Sequence, residues 1–147
     1  MSEWLSGWVE ELSSPKENKP PLCPFAKKAW DNNEVKVVES QNLWELVHKE
    51  VSEFGPHKVV LCIQPMPEQE YLELEAACSA LNNWFAYEGQ DIWLLSSEMH
   101  GQNIVFVQKR SDLNVASRSL EQLGYYVDYN EEDFERLIGR RRRLGGR

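Results

Sequence analysis

The stretch Lys58-Val59-Val60-Leu61-Cys62-Ile63-Gln64-Pro65 constrains the fold more than any other part of the chain. Its apolar run, Val59 to Ile63, is far shorter than the roughly 18 residues a membrane-spanning helix needs. A strand without polar alternation is buried on both faces, which makes it a central strand of a partly parallel sheet. Pro65 and Pro67 close it, since proline supplies no ladder donor.

The flanking segments supply the rest of an α/β fold. Residues 34 to 38, Glu-Val-Lys-Val-Val, read as a first strand. Leu43, Val47, Val51 and Phe54 fall at helical spacing behind a possible Asn42 cap. A long helix is expected over 68 to 87, acidic at its start as the helix dipole favours. Residues 91 to 97 and 103 to 109 form a hairpin bent at Gly101. A helix follows from Ser111 to Gly124, capped near Ser111 or Asp112 and stopped by the glycine. A short helix opens at Asn130. The expected fold class is a single α/β domain: a four-stranded mixed sheet, three parallel strands plus one antiparallel hairpin strand, flanked by helices. Its length of 147 residues suits one core.

Trp4, Leu5, Trp8, Val9 and Leu12 place an amphipathic helix over residues 2 to 13, followed by a proline-rich connector. Trp4 and Trp8 are candidates for a partner's groove or a dimer interface, with packing on the chain's own sheet as the plainer alternative. Trp30, Trp44, Trp84 and Trp93 fall on element faces and are assigned to the core.

Charge is segregated. Residues 1 to 135 hold 24 acidic against 10 basic side chains, whereas 136 to 147 hold six arginines and no acid. The expected organisation is a domain over 1 to 139 and a basic C-terminal arm over 140 to 147. Arg140, Arg141, Arg142 and Arg143 are the candidate contact to nucleic-acid phosphates, or to an acidic surface that includes the chain's own body. The acidic body opposes nucleic-acid binding. Glu131, Glu132, Asp133 and Glu135 cap the last helix or draw the arginines back.

Three cysteines, none in a Cys-x-x-Cys pair, suggest neither a disulfide framework nor a zinc site, so no metal or cofactor is expected. Cys23, ahead of Pro24 and near Lys27 and Lys28, is the candidate reactive thiol. Its plainer reading is an apolar anchor where the connector enters the core. Cys62 and Cys78 read as inert core residues. Glu98, His100 and Asn103, around the hairpin bend, form the candidate polar cluster, while His48 and His57 match no ligand spacing. No phosphate-binding glycine loop occurs. The N-terminus carries neither a basic region nor an apolar block, so a cytoplasmic location is expected.

Trp8, Leu22-Cys23-Pro24-Phe25-Ala26, Ile63-Gln64-Pro65 and Tyr71-Leu72 together resemble an uncharacterised bacterial domain-of-unknown-function family with a Trp-bearing helix and an LCPFA signature. The likeness covers roughly the first half of the chain. This chain has Gln64-Pro65 where the family has His-Pro, and it lacks the family's later Asn/Tyr/Pro-rich loop. Any activity served by that histidine and loop is therefore not implied here, and the family supplies no reaction. The functional expectation is a small, acidic, non-enzymatic binding or regulatory protein acting by protein–protein contact or self-association. The alternatives are a thiol-dependent enzyme using Cys23 and nucleic-acid binding through the arginine arm.

Overall fold

The computed structural model describes residues 30–54, 59–66, 70–99, 101–124 and 126–144. The chain separates into two compact units, Met1–Val35 and Lys36–Arg147. In the first, the described residues close a helical turn at Trp30, whose carbonyl accepts the Asn33 N–H at 3.2 Å. The expected N-terminal helix and connector lie outside the described residues.

Along the chain, β1 (Val35–Glu39) leads through α1 (Leu43–Ser52) to β2 (Val59–Gln64), then to α2 (Tyr71–Tyr87), β3 (Trp93–Met99) and β4 (Gln102–Gln108). After α3 (Arg110–Gln122), one C-terminal helical segment is assembled from α4 (Glu131–Phe134), a π-helical turn (Glu135–Gly139) and α5 (Arg140–Leu144). The local chemistry expected at several boundaries is present. The Asn42 side chain accepts the Glu45 N–H at 3.3 Å, and its amide donates to the Glu45 carboxylate at 2.8 Å. Gly101 takes φ 72° at the hairpin bend, a conformation that favours glycine. At α3, neither Ser111 nor Asp112 caps its own helix. Asp91 does so from the preceding loop, one oxygen accepting the Ser111 N–H at 2.8 Å and the other its hydroxyl.

Strand order is β1-β2-β4-β3. This corrects the three-parallel-strand expectation: β4 inserts between β2 and β3, so only β1 and β2 form a parallel pair and the other pairings are antiparallel. The reason is burial. Ile104, Val105 and Val107 of β4 are completely buried, while β3 turns polar at Ser96, Ser97 and Glu98. The more apolar arm of the hairpin takes the interior position and the more polar arm takes the edge.

Val60, Cys62, Leu94, Val105 and Val107 share one sheet face and pack with Leu43 and Val47 of α1 and with Leu74, Cys78 and Phe85 of α2. Leu61, Ile63, Trp93 and Ile104, on the opposite face, are also buried, as a central β2 requires. Glu50 of α1 is buried with its carboxylate on the Lys36 ammonium of β1 at 2.9 Å. Burial leaves that carboxylate dependent on its partner.

β3 has an open edge that α2 closes with side chains. The Asn82 carboxamide mimics a neighbouring strand: its Oδ1 accepts the Leu94 N–H at 2.7 Å and its Nδ2 donates to the Leu94 carbonyl at 2.9 Å. Two residues along, the Tyr71 hydroxyl donates to the Ser96 carbonyl at 3.2 Å. Unpaired strand groups are thereby satisfied without another strand.

Candidate functional site

A groove lies between α1 and α2. Trp44, Val47, His48 and Val51 recur at i, i+3, i+4 and i+7 on α1, and Leu81, Trp84 and Phe85 at i, i+3 and i+4 on α2. The two stripes border a space of about 840 Å³ that Gln90, Asp91 and Ile92 also line. Trp84 does not join the core as expected. It is 55% exposed, and its ring stacks on Tyr87, which is 73% exposed, with centroids 6.3 Å apart. Asp91 is the carboxylate among the lining residues, and Glu45, Glu53 and Glu88 are exposed on the same two helices or their ends without lining the groove. Lys49 is the cation among these positions.

The groove is lined mainly by apolar side chains. Its titratable lining groups are His48 and Asp91, and Asp91 already holds the start of α3. The two described thiols lie beneath it in the core. Burial pushes Cys62 up to about 12, with Glu50 adding to the rise and Lys36 opposing it. Burial, then Glu75, pushes Cys78 to about 12. Both thiols are therefore protonated and poor nucleophiles at neutral pH. Among the described residues, no group of three His, Cys, Asp or Glu side chains is placed to hold a metal ion. No described helix is long and apolar enough to cross a membrane.

Cys23, Trp4, Trp8, His57 and His100 lie outside the described residues. Glu98 and Asn103 do come together, as direct partners across the β3–β4 ladder. Their environments differ, however. Glu98 is exposed, whereas Asn103 is fully buried and donates to the Gln64 side chain at 3.2 Å, which in turn donates to the Gln41 carbonyl at 2.9 Å. Asn103 thus belongs to a structural amide chain under the end of β2.

The arginine run is helical and turned largely onto its own body. Arg140 donates to the Ser79 carbonyl at 3.1 Å and to Asn83 Oδ1 at 2.6 Å. Arg141 is only 6% exposed, with its Nε on Asn114 Oδ1 at 2.9 Å and Nη2 on the Leu113 carbonyl at 3.3 Å. Its pKa falls to about 10, chiefly through burial, with Tyr126 opposing the fall and Arg142 adding to it. Arg142 reaches Glu121 at 3.2 Å and Ser117 at 3.0 Å, and Arg143 pairs with Glu135. The π-helical turn immediately before them contains Gly139, and a side chain there would meet the Glu135 carboxylate. Pairing with own-body acids was among the readings of the sequence. Burial of Arg141 was not, because a charge run carries no signal for neutral acceptors 27 residues away.

These contacts occupy guanidinium groups that a phosphate would need. Glu121→Gln/Glu135→Gln, which frees Arg142 and Arg143, is expected to tighten binding to a single-stranded oligonucleotide. The log–log salt slope should steepen by about 1.4, as two added phosphate contacts dictate. Glu39→Gln/Glu73→Gln removes the same charge elsewhere and should leave the slope unchanged; an equal response in both would mean that net charge alone governs binding. No protein-family model, curated protein or solved structure matches this chain.

Proposed function

We propose that the protein is a non-enzymatic binding protein whose groove between α1 and α2 takes an apolar helical segment with basic flanks from a partner protein. The observation that carries this is Trp84, a large aromatic left more than half exposed beside an apolar groove and stacked on a second exposed aromatic. Aromatic anchors of this kind dominate protein interfaces, and helix-in-groove recognition uses stripes of this spacing. The acidic excess of the chain around the groove favours a cationic partner. Residues 36 to 135 as a whole carry 18 acidic against 6 basic side chains, so approach of a basic segment is also electrostatically assisted.

The test is calorimetric titration with an 18-residue amphipathic Leu/Lys helix and its Leu/Glu counterpart. The Leu/Lys peptide should bind, and Trp84→Ser should weaken it by about tenfold or more, as expected for an anchor worth over 1 kcal/mol. The Leu/Glu peptide should not bind. Equal binding of both peptides, or a Trp84→Ser variant that binds as well as the parent, would sink the reading. Concentration-dependent dimerisation abolished by Trp84→Ser would replace the foreign partner with a second copy.

A further inference from the structure

We propose that a second, polar cleft, between α2, the β3 edge and the C-terminal helical segment, binds a small ammonium-carboxylate zwitterion of α-amino acid size. The cleft measures about 170 Å³, below the volume of drug-sized pockets, so its ligand has few heavy atoms. It is lined by β3 from Trp93 to Ser96, by α2, and by Arg136 and Arg140.

Arg140 is the carboxylate receptor. Its guanidinium sits 5.5 Å from the centroid of the buried Trp93 ring, and the acceptors that hold it, the Ser79 carbonyl and Asn83 Oδ1, are neutral and both engage Nη2. Among the described residues it forms no ion pair, unlike Arg136, Arg142 and Arg143. Its position is thus fixed without an ion pair and both of these hydrogen bonds use Nη2, leaving Nε and Nη1 to meet a carboxylate. Arg136 adds a second cation held by an exposed contact to Asp133 at 3.3 Å.

Glu75 decides the class of ligand. It lies on the same α2 stripe, one turn from Tyr71, lines the cleft and is exposed. A carboxylate in the lining repels a multiply charged phosphate and accepts an ammonium group. Ser79 and Ser96 also line the cleft, the Ser96 hydroxyl donating to the Tyr71 hydroxyl at 3.5 Å. The Ser96 N–H lies on the same open strand edge as that of Leu94, two residues earlier, and Asn82 already satisfies the latter.

Two-dimensional amide NMR supplies the test, with glycine, L-serine and L-glutamine as zwitterions and N-acetylglycine, glycine ethyl ester and inorganic phosphate as comparisons. At least one zwitterion should shift the Ser96 amide and the Trp93 indole N–H saturably below about 10 mM, with the three comparisons about tenfold weaker. Arg140→Gln should weaken that zwitterion by about tenfold or more, the loss expected of a charge-assisted hydrogen-bonded contact. Glu75→Gln, an exposed change that leaves the fold intact, should bring N-acetylglycine to within about twofold of glycine by removing the ammonium acceptor. Absence of saturable shifts, phosphate binding as tight as any zwitterion, or an unchanged preference in Glu75→Gln would overturn the proposal.

Discussion

Asn82→Leu is expected to destabilise the protein by about 2–4 kcal/mol although it keeps the number and branching of the side-chain heavy atoms. Asn82 and Leu94 are both buried, and the two hydrogen bonds between them satisfy one donor and one acceptor of the β3 edge at once. Leucine can do neither, and each buried backbone group left without a partner costs about 1–3 kcal/mol. The added apolar burial returns part of this, about 1–2 kcal/mol on area grounds. Asn82→Asp separates the two bonds. It keeps an acceptor for the Leu94 N–H but sets a carboxylate against the Leu94 carbonyl. Burial against a carbonyl raises that carboxyl's folded-state pKa above its unfolded value. The defect should therefore be full at neutral pH, shrink as the pH falls through the raised folded value, and be relieved by about pH 4, where the unfolded chain is protonated too. Urea unfolding gives both values, and a loss under about 1 kcal/mol for Asn82→Leu would show that water or strand movement satisfies the edge. The same variant uncovers a strand edge, so sedimentation should show self-association absent from the parent.

This lock was not legible in the sequence, and the reason is physical. Asn82 sits within a helix whose surrounding residues give no hint that position 82 faces a strand edge. Its partner lies 12 positions on and is a backbone group, which has no sequence signature. What was legible is local. The unbroken run from Val59 to Ile63 identified a central strand. Asn42 named its own cap, Gly101 its own bend, and the helix and strand order followed from period alone. Pairing order is non-local, yet a signal was available: Ile104 to Val107 form an apolar run like that of β2, whereas Ser96-Ser97-Glu98 read as an edge. Comparing the two arms of the hairpin would have placed β4 inside.

The candidate site divides the same way. Trp84 was assigned to the core because it shares a stripe with Leu81 and Phe85, but it sits at the outer margin of that stripe, beyond the reach of the sheet. Helical period gives the face of a residue and not the distance from the helix to its neighbour. The arginines show the complementary limit. Four consecutive residues on a helix point in about four different directions, at about 100° steps, so a run that reads as one patch becomes four side chains with separate environments. Arg140 ends beside a cleft, Arg141 is buried, and Arg142 and Arg143 meet carboxylates. Composition correctly located the charge but not its availability.

Raising the pH should unfold the protein more steeply than its carboxylates and amines alone would, because the two core thiols are forced to keep their protons. Cys62 and Cys78 rise from an ordinary 9.0 to about 12 in the fold, burial being the first cause in each. Between those values the unfolded chain releases two protons that the folded chain retains, so stability falls as pH rises through the window and is undiminished below it. At about 1.4 kcal/mol per pH unit once the unfolded thiol is ionised, each thiol removes roughly 2 kcal/mol between pH 9 and 11, or about 4–5 kcal/mol for the pair. That is comparable with the whole stability of many domains, about 5–15 kcal/mol. Tyr126 and Tyr129, whose phenols are also raised by burial, add to the loss above pH 10. Urea-unfolding series from pH 7 to 11 on the parent and on Cys62→Ala/Cys78→Ala isolate the thiol share. The double variant should begin less stable, by about 1–3 kcal/mol for the cavities it leaves, and then lose about 4–5 kcal/mol less than the parent between pH 9 and 11. Parallel curves would mean that the thiols ionise in place, through a core open enough to solvate them. In that event Cys62 and Cys78 would be nucleophiles within reach of solvent, and the assignment of this domain to binding rather than thiol chemistry would fall with the prediction.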